Sequence, residues 1–376
     1  MRLLSAISII LFLSSINASK IEFDRYTIDD GLSQNTVYKV FQDSRGYIWL
    51  GTQGGLDRFN GYEFKHYEHE SNDSTSIVNG WIRAINEDED GLLWLGTVGG
   101  NLGWFDPYDE IGGEIDLFAD HPDFDRPGYI YDILFHGDYI FLTTLGSGLC
   151  RYNRKDGSTL WYSSDSTSKH YIKDRVFTNV YSISEDKILL GDRSIIILNT
   201  ETNEHVEPYN ELIEKEIGVP FDSIKVSSIT QTNDRKILIG TWSDHGLIIL
   251  DTESEGVSQF FPLPPDPDSG KVPRTMIGEI TIDRFNKLWM PVFNVGLATF
   301  DMTEEEFELH LPDPKNPSSL SDSQIESIIM DKSGAIWLGS ARSLINHDSE
   351  KKKFNLISNS GNADIKSSFN EKQDLH

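Results

Sequence analysis

The sequence predicts an all-β protein, a single seven-bladed β-propeller of four-stranded antiparallel blades closed by an N-terminal strand. Three observations lead there. A ten-residue phrase recurs as "DSRGYIWLGT" from Asp43, "DEDGLLWLGT" from Asp88 and "DKSGAIWLGS" from Asp331, each with tryptophan six residues after its first aspartate. The place of that tryptophan can be followed along the chain, from Trp49 to Trp94, Phe141, Leu189, Leu238, Trp289 and Trp337, at intervals of 45, 47, 48, 49, 51 and 48 residues. That spacing gives seven units of propeller-blade length. Aromatic residues form 11 % of the 376, and 30 glycines supply turns, so many short strands are favoured over long helices.

Each unit supplies four strands. An apolar run such as "TVYKVFQD", "WIRAINED" or "QIESIIMD" comes first, then a four-residue turn, the Trp run, a Gly-bearing turn, and a third run such as "GLDRFN", "GLIILD" or "GLATFD". A fourth run follows in "YEFKHY", "EIDLFA", "SQFFPL" and "EFELHL". Short runs broken by turns at regular spacing read as an antiparallel meander. In "DSRG" and "DKSG", Asp at the first place bonds the turn's own N–H groups and Gly at the fourth accepts a left-handed exit. The tryptophan fills the widening space between radial sheets, and the glycine after it lets neighbouring backbone approach. These tryptophans are expected in the core, away from ligand.

The chain ends are read separately. Arg2 followed by an uncharged run from Leu3 to Ile16, with Ala18 as a cleavage point, predicts a signal peptide over 1–18. The propeller is expected over 19–358 and a polar, disordered tail over 359–376. The single Cys150 excludes an internal disulfide, and no later segment reads as a membrane span. A periplasmic or extracellular location follows. "EFDRY" at 22–26 matches "EFKHY" at 63–67 in three places, so a fourth strand stands ahead of blade one. Ile21 to Thr27 is expected to pair with "SLINHD" of unit seven, because an unclosed ring leaves an exposed edge. The copy "KKFNLIS" at 352–358 would then lie outside it or begin a second domain.

Charge excludes some partners. With 33 basic and 60 acidic residues the net charge is -27, which repels nucleic acid and anionic membrane surfaces.

The residues resemble a known family, the two-component regulator propellers. "GLSQNTVYKVFQDSRGYIWLGTQGGLDRFNGYEFKHY", 31–67, is similar to a full copy of that family's repeat, and "NPSSLSDSQIESIIMDKSGAIWLGS", 316–340, to most of another. Units three to five match less well, since Phe141, Leu189 and Leu238 replace Trp. The resemblance implies the periplasmic sensor region of a hybrid histidine kinase or diguanylate cyclase. Such proteins continue into an immunoglobulin-like module, a membrane helix and an output domain. This sequence stops after seven units and a polar tail, so a stand-alone or truncated sensor is expected.

Catalytic motifs are absent. There is no G-x-S-x-G elbow, phosphate loop or H-E-x-x-H, and the ten histidines lack ligand spacing. "NEDEDG", 86–91, imitates a calcium loop, but Thr97 stands where the bidentate Glu belongs, so a hairpin turn is the better reading. No cofactor, metal or catalytic residue is assigned. Asp132, Glu279 and Glu326 on first strands are the carboxylates that a polysaccharide lyase or hydrolase would bring together, the alternative reading.

A binding site is argued from topology. If first strands are innermost, the linkers into them and the turns after the Trp strands meet on one face. The long acidic linkers "HESNDSTSIVN", "HPDFDRPG", "PPDPDSGKVP" and "LPDPKNPSSLSD" either form a rim there or merely bridge blades. Gln34, Asn35, Asn79, Trp81, Tyr129, Asn179, Arg274 and Gln324, entering the first strands, mix amides, aromatics and one Arg. With Trp242 of "GTWSDHG", they form the candidate ligand-binding set. They suit a small polar ligand or an oligosaccharide, as an ordinary polar surface also would. A homodimer or a membrane signalling partner is left open.

Overall fold

The computed structural model describes residues 21–348 apart from 79, 120–126, 165–167, 175, 243–244 and 264–275. The proposed signal peptide, the 352–358 run and the tail lie outside the described residues. Seven separate four-stranded antiparallel sheets follow one another in a ring, a seven-bladed β-propeller. Blade one is typical, with strands Val37–Gln42, Ile48–Thr52, Leu56–Phe59 and Phe64–Tyr67 in that spatial order. The first strands of neighbouring blades touch one another, so they are innermost.

The repeated tryptophan place is one register position in all seven sheets. Trp49 faces Phe41, Trp94 faces Asn86, Phe141 faces Leu134, Leu189 faces Tyr181, Leu238 faces Thr230, Trp289 faces Thr281 and Trp337 faces Ile329. All seven side chains are buried, Trp49 completely. The core lies between sheets. Trp49 and Leu56 of blade one pack with Ile82, Leu93 and Phe105 of blade two, and Trp337 of blade seven packs with Val37, Leu50 and Phe59 of blade one. Second strands are therefore buried on both faces, which explains their unbroken apolar runs.

The aspartate of the phrase has two tasks. In blade one, Asp43 Oδ1 accepts the Tyr47 N–H at 2.8 Å, and Oδ2 accepts the Trp49 indole N–H at 2.9 Å. The same indole bond joins Trp94 to Asp88, Trp289 to Asp283 and Trp337 to Asp331, at 2.8 to 2.9 Å. A buried indole needs an acceptor, and only a side chain that also closes the turn stands in reach. Hence the fixed six-residue spacing. Blade five has Leu238 in place of Trp, and the place of Asp is taken by Thr232, whose hydroxyl accepts the Lys236 N–H.

Closure follows the N-terminal expectation. Asp24–Tyr26 pairs antiparallel with Leu344–His347, adding the outermost strand to blade seven. It is shorter than the Ile21 to Thr27 segment read from sequence. Other fourth strands differ too, that of blade five being Gly256–Phe260, earlier than "SQFFPL". The fourth strand of blade two is Ile111–Ile115, earlier than "EIDLFA", because Trp104 covers Gly113 so closely that a Cβ there would lie 2.7 Å from its indole nitrogen. In blade four the fourth strand shrinks to His205–Val206, and a helix, Asn210–Ile217, follows with Ile213 buried toward blade five.

Candidate functional site

The inner strands carry a shared irregularity. In blades one, two, three, five and seven the ladder slips at one place, between Val37 and Lys39, Ile82 and Ala84, Ile130 and Asp132, Val226 and Ser228, and Ile325 and Ser327. A bulge leaves one residue unpaired and re-aims its side chain. Those residues are Tyr38, Arg83, Tyr131, Ser227 and Glu326. In blades four and six the same place holds Thr178 and Gly278, by their bonds to Gly191 O and Pro291 O. Large side chains thus line the blade seven, one, two and three side, and small ones the other.

The large side chains meet. Tyr38 and Trp81 stack nearly parallel, centroids 5.7 Å apart at 8°. The Arg83 guanidinium lies 4.7 Å from the Tyr38 ring centre and 5.6 Å from that of Tyr129, which itself packs against Tyr131. Arg83 Nη2 pairs with Glu326 Oε2 at 3.5 Å, the two side chains being 26 % and 24 % exposed. Trp81, at 39 %, is the open face of the cluster.

One residue further along each strand lies the channel floor. Lys39, Asp132, Asn179, Ser228 and Glu279 line a cavity of about 350 Å³ there. Lys39 of blade one forms an ion pair with Glu279 of blade six, reaching past blade seven. Blade-to-blade bonds use the same residues: Asp132 Oδ2 accepts the Val180 N–H at 3.2 Å, Glu279 Oε2 the Ile328 N–H at 3.2 Å, and Ser327 Oγ the Val40 N–H at 3.2 Å. Burial pushes Asp132 up to about 6, against the pull of Lys39. Burial also works against the Lys39 charge, but Glu279 and Asp132 outweigh it and leave the amine's pKa raised.

Of the residues read from sequence, Trp81 and Tyr129 join the aromatic cluster and Asn179 the floor. Gln324 Nε2 donates to Asn294 Oδ1 at 3.1 Å, and its backbone carbonyl accepts the Ala341 N–H. Gln34 packs beside Gly54, and Asn35 Oδ1 accepts the Ile28 N–H at 3.0 Å, tying down the N-terminal turn. Trp242 is 54 % exposed, and its N–H bonds Lys225 O, at the register that Trp81 holds in blade two; it lies on the same face. Asn79 and Arg274 lie outside the described residues. Asp132 and Glu279 come together, whereas Glu326 sits at the bulge level with Arg83. The "NEDEDG" turn engages its own first aspartate, Asp88, with the Asp90 and Leu92 N–H groups and the Trp94 indole.

Sequence reading missed Tyr38, Arg83, Tyr131 and Lys39. The signal available was the bulge, visible only once the seven first strands are aligned by register. Of the four linkers, "PPDPDSGKVP" and most of "HPDFDRPG" lie outside the described residues, and the other two are placed. Thr75 O accepts the Gly112 N–H of the next blade's fourth strand, and Ser318 O that of Phe23, so these two linkers are fastened to outer strands as bridges.

Residues 31–54 and 76–99 match the family model described as two component regulator propeller. Histidine kinase P4 of Formosa agariphila is 43 % identical over 82 residues, 20 % of this chain and 6 % of that protein. The extracellular domain of a hybrid two component system of B. thetaiotaomicron superposes with TM-score 0.69 at 20 % identity, over 87 % of this chain and 42 % of that one. Virginiamycin B lyase of Staphylococcus aureus has the same fold at 15 % identity and TM-score 0.62, over 87 % of this chain and 99 % of that one. The chain spans less than half of the two signalling proteins it matches, and the low identities of the solved structures show the fold alone. At residues 31–54 and 76–99, within a seven-bladed ring, the chain carries the repeat of the two component regulator propeller family.

Proposed function

We propose that this chain is a non-catalytic ligand-sensing propeller, exported from the cytoplasm, whose site is the channel mouth. The carrying observation is the cluster of Tyr38, Trp81, Arg83, Tyr129 and Glu326, brought from four blades to one level. Aromatic faces beside a donor and an acceptor suit a saccharide, which presents a C–H face and a hydroxyl edge. Export is supported by the Leu3 to Ile16 run and by similarity to extracellular domains; among the described residues no helix is long and apolar enough to cross a membrane.

The competing reading is a lyase or hydrolase, favoured by the raised pKa of Asp132 and by the fold of virginiamycin B lyase. Against it, Asp132 accepts the Ile133 and Val180 N–H groups, and Glu279 is engaged by Lys39, Ser327 and Ile328. These carboxylates hold blades together. A thermal-shift screen of oligosaccharides against wild type and Trp81→Ala tests the sensing reading. A bound ligand raises the melting temperature of wild type, and Trp81→Ala, itself stable, loses most of that rise. Trp242→Ala should lose less if the ligand sits in the mouth. A screen with no rise, or product formation abolished by Asp132→Asn, would sink the proposal. N-terminal sequencing of the exported protein tests cleavage after Ala18.

A further inference from the structure

The Arg83–Glu326 pair bears on which ligands the mouth accepts, and the argument rests on the sensing role proposed above. Among the described residues of the first strands, the one lysine and the one arginine are already matched. Arg83 faces Glu326 and Lys39 faces Glu279, while Asp132 adds a further carboxylate beside Lys39. The chain as a whole carries a net charge of -27. An anionic ligand would have to take Arg83 from Glu326, exchanging one ion pair for another and leaving Glu326 beside a second negative charge. An uncharged ligand keeps the pair. Each hydroxyl of an adjacent pair both donates and accepts, and Arg83 only donates while ionised Glu326 only accepts. The two side chains together therefore match one vicinal diol, with the ring's C–H face on Trp81.

Three features hold this arrangement in place. The bulges of blades two and seven aim Arg83 and Glu326 from different sheets to one point. Tyr38 and Tyr129 flank the guanidinium and limit its rotamers. Below, the Lys39–Glu279 pair crosses the floor.

We infer that the channel mouth selects an uncharged saccharide by a vicinal diol held between Arg83 and Glu326, and rejects carboxylated or sulfated sugars. The test is an array pairing neutral oligosaccharides with their uronic acid and sulfated counterparts. It is probed with wild type, Arg83→Gln, Glu326→Gln and Trp81→Ala, each first shown to be folded by its melting curve. Neutral members should bind wild type more tightly than their charged counterparts, and Arg83→Gln should weaken them about tenfold or more. Glu326→Gln, which leaves Arg83 unpaired, should admit the uronates. Stronger binding of charged members by wild type, or an unchanged preference in Glu326→Gln, overturns the inference. Neutral binding that depends on Trp81 but not on Arg83 overturns it while leaving the sensing role intact. If no member binds in a Trp81-dependent way, both fall.

Discussion

Asp43 shows how much one residue can fix, since its two oxygens close a turn and satisfy a fully buried indole. Asp43→Ala should cost about 2 to 3 kcal/mol, because the Trp49 N–H is then buried without an acceptor. Trp49→Ala should cost about 3 to 5 kcal/mol, as expected for emptying a large aromatic site. Urea melts of both variants give the comparison, and an unchanged midpoint in either contradicts the account. A second residue predicts a pH dependence. His310 stacks on Trp289 and lies edge-on to Phe23, and burial lowers its pKa to about 4. Lys287 and His347 push it the same way and Glu308 opposes them. Its folded value lies below the unfolded 6.5, so the unfolded chain takes the proton first. The stability it contributes is full above pH 6.5 and is lost as the pH falls toward 4, about 3 kcal/mol in all. Asp132 and Asp192, raised to about 6 by burial, act in the opposite sense over much of that window. The measurement is therefore the difference in stability between wild type and His310→Phe at several pH values. A flat difference between pH 6.5 and 4 would show that His310 is not the group responsible.

At the scale of the element, the second strand of each blade is the most constrained. Gly51 sits against the next blade's first strand, where an added Cβ would lie 2.6 Å from Ile82 O, and at Gly339 it would lie 2.7 Å from Val37 O. Gly51→Ala should accordingly destabilise by about 1 to 3 kcal/mol, the cost of overpacking a rigid contact. Because the obstructing atom is backbone, no rotamer change can relieve it. Calorimetry decides, and an unchanged melting temperature would mean that the blades are looser than their contacts imply. The inner strand has the opposite character. Its bulge frees Tyr38, Arg83 and Glu326 from the ladder, so the element that holds the ring together also presents the candidate site.

The whole molecule depends on its closure. Asp24–Tyr26 completes blade seven, and Tyr26 reaches Phe59 and Phe64 of blade one, while Phe23 meets His310 of blade six. One short segment, Phe23 to Tyr26, thus touches three blades. Removing residues 19–28 should lower stability by several kcal/mol, since an open seam exposes a sheet face and an edge. Removing 351–376 should cost little. Chemical melts of the two truncations are the check, and greater damage from the C-terminal one would show that the clasp lies elsewhere.

The sequence by itself determined the seven units, their strand order, the buried tryptophan place and the N-terminal closing strand. All rest on periodicities that side chains must obey wherever a blade packs on a blade: the Asp-to-Trp spacing, the alternation of short runs, and a surplus fourth strand. The displaced fourth strand of blade two and the shortened one of blade four were not legible, because such changes answer to single contacts, such as Trp104 over Gly113 in blade two, that no period encodes. The site was legible in part. Trp81 and Tyr129 could be chosen as aromatics entering inner strands, but only the tertiary structure brought Tyr38, Arg83 and Glu326 to one point. Their meeting depends on the register of bulges in three separate sheets and on ring closure, which sets residues 38, 83 and 326 side by side although a chain of over 280 residues separates the first from the last.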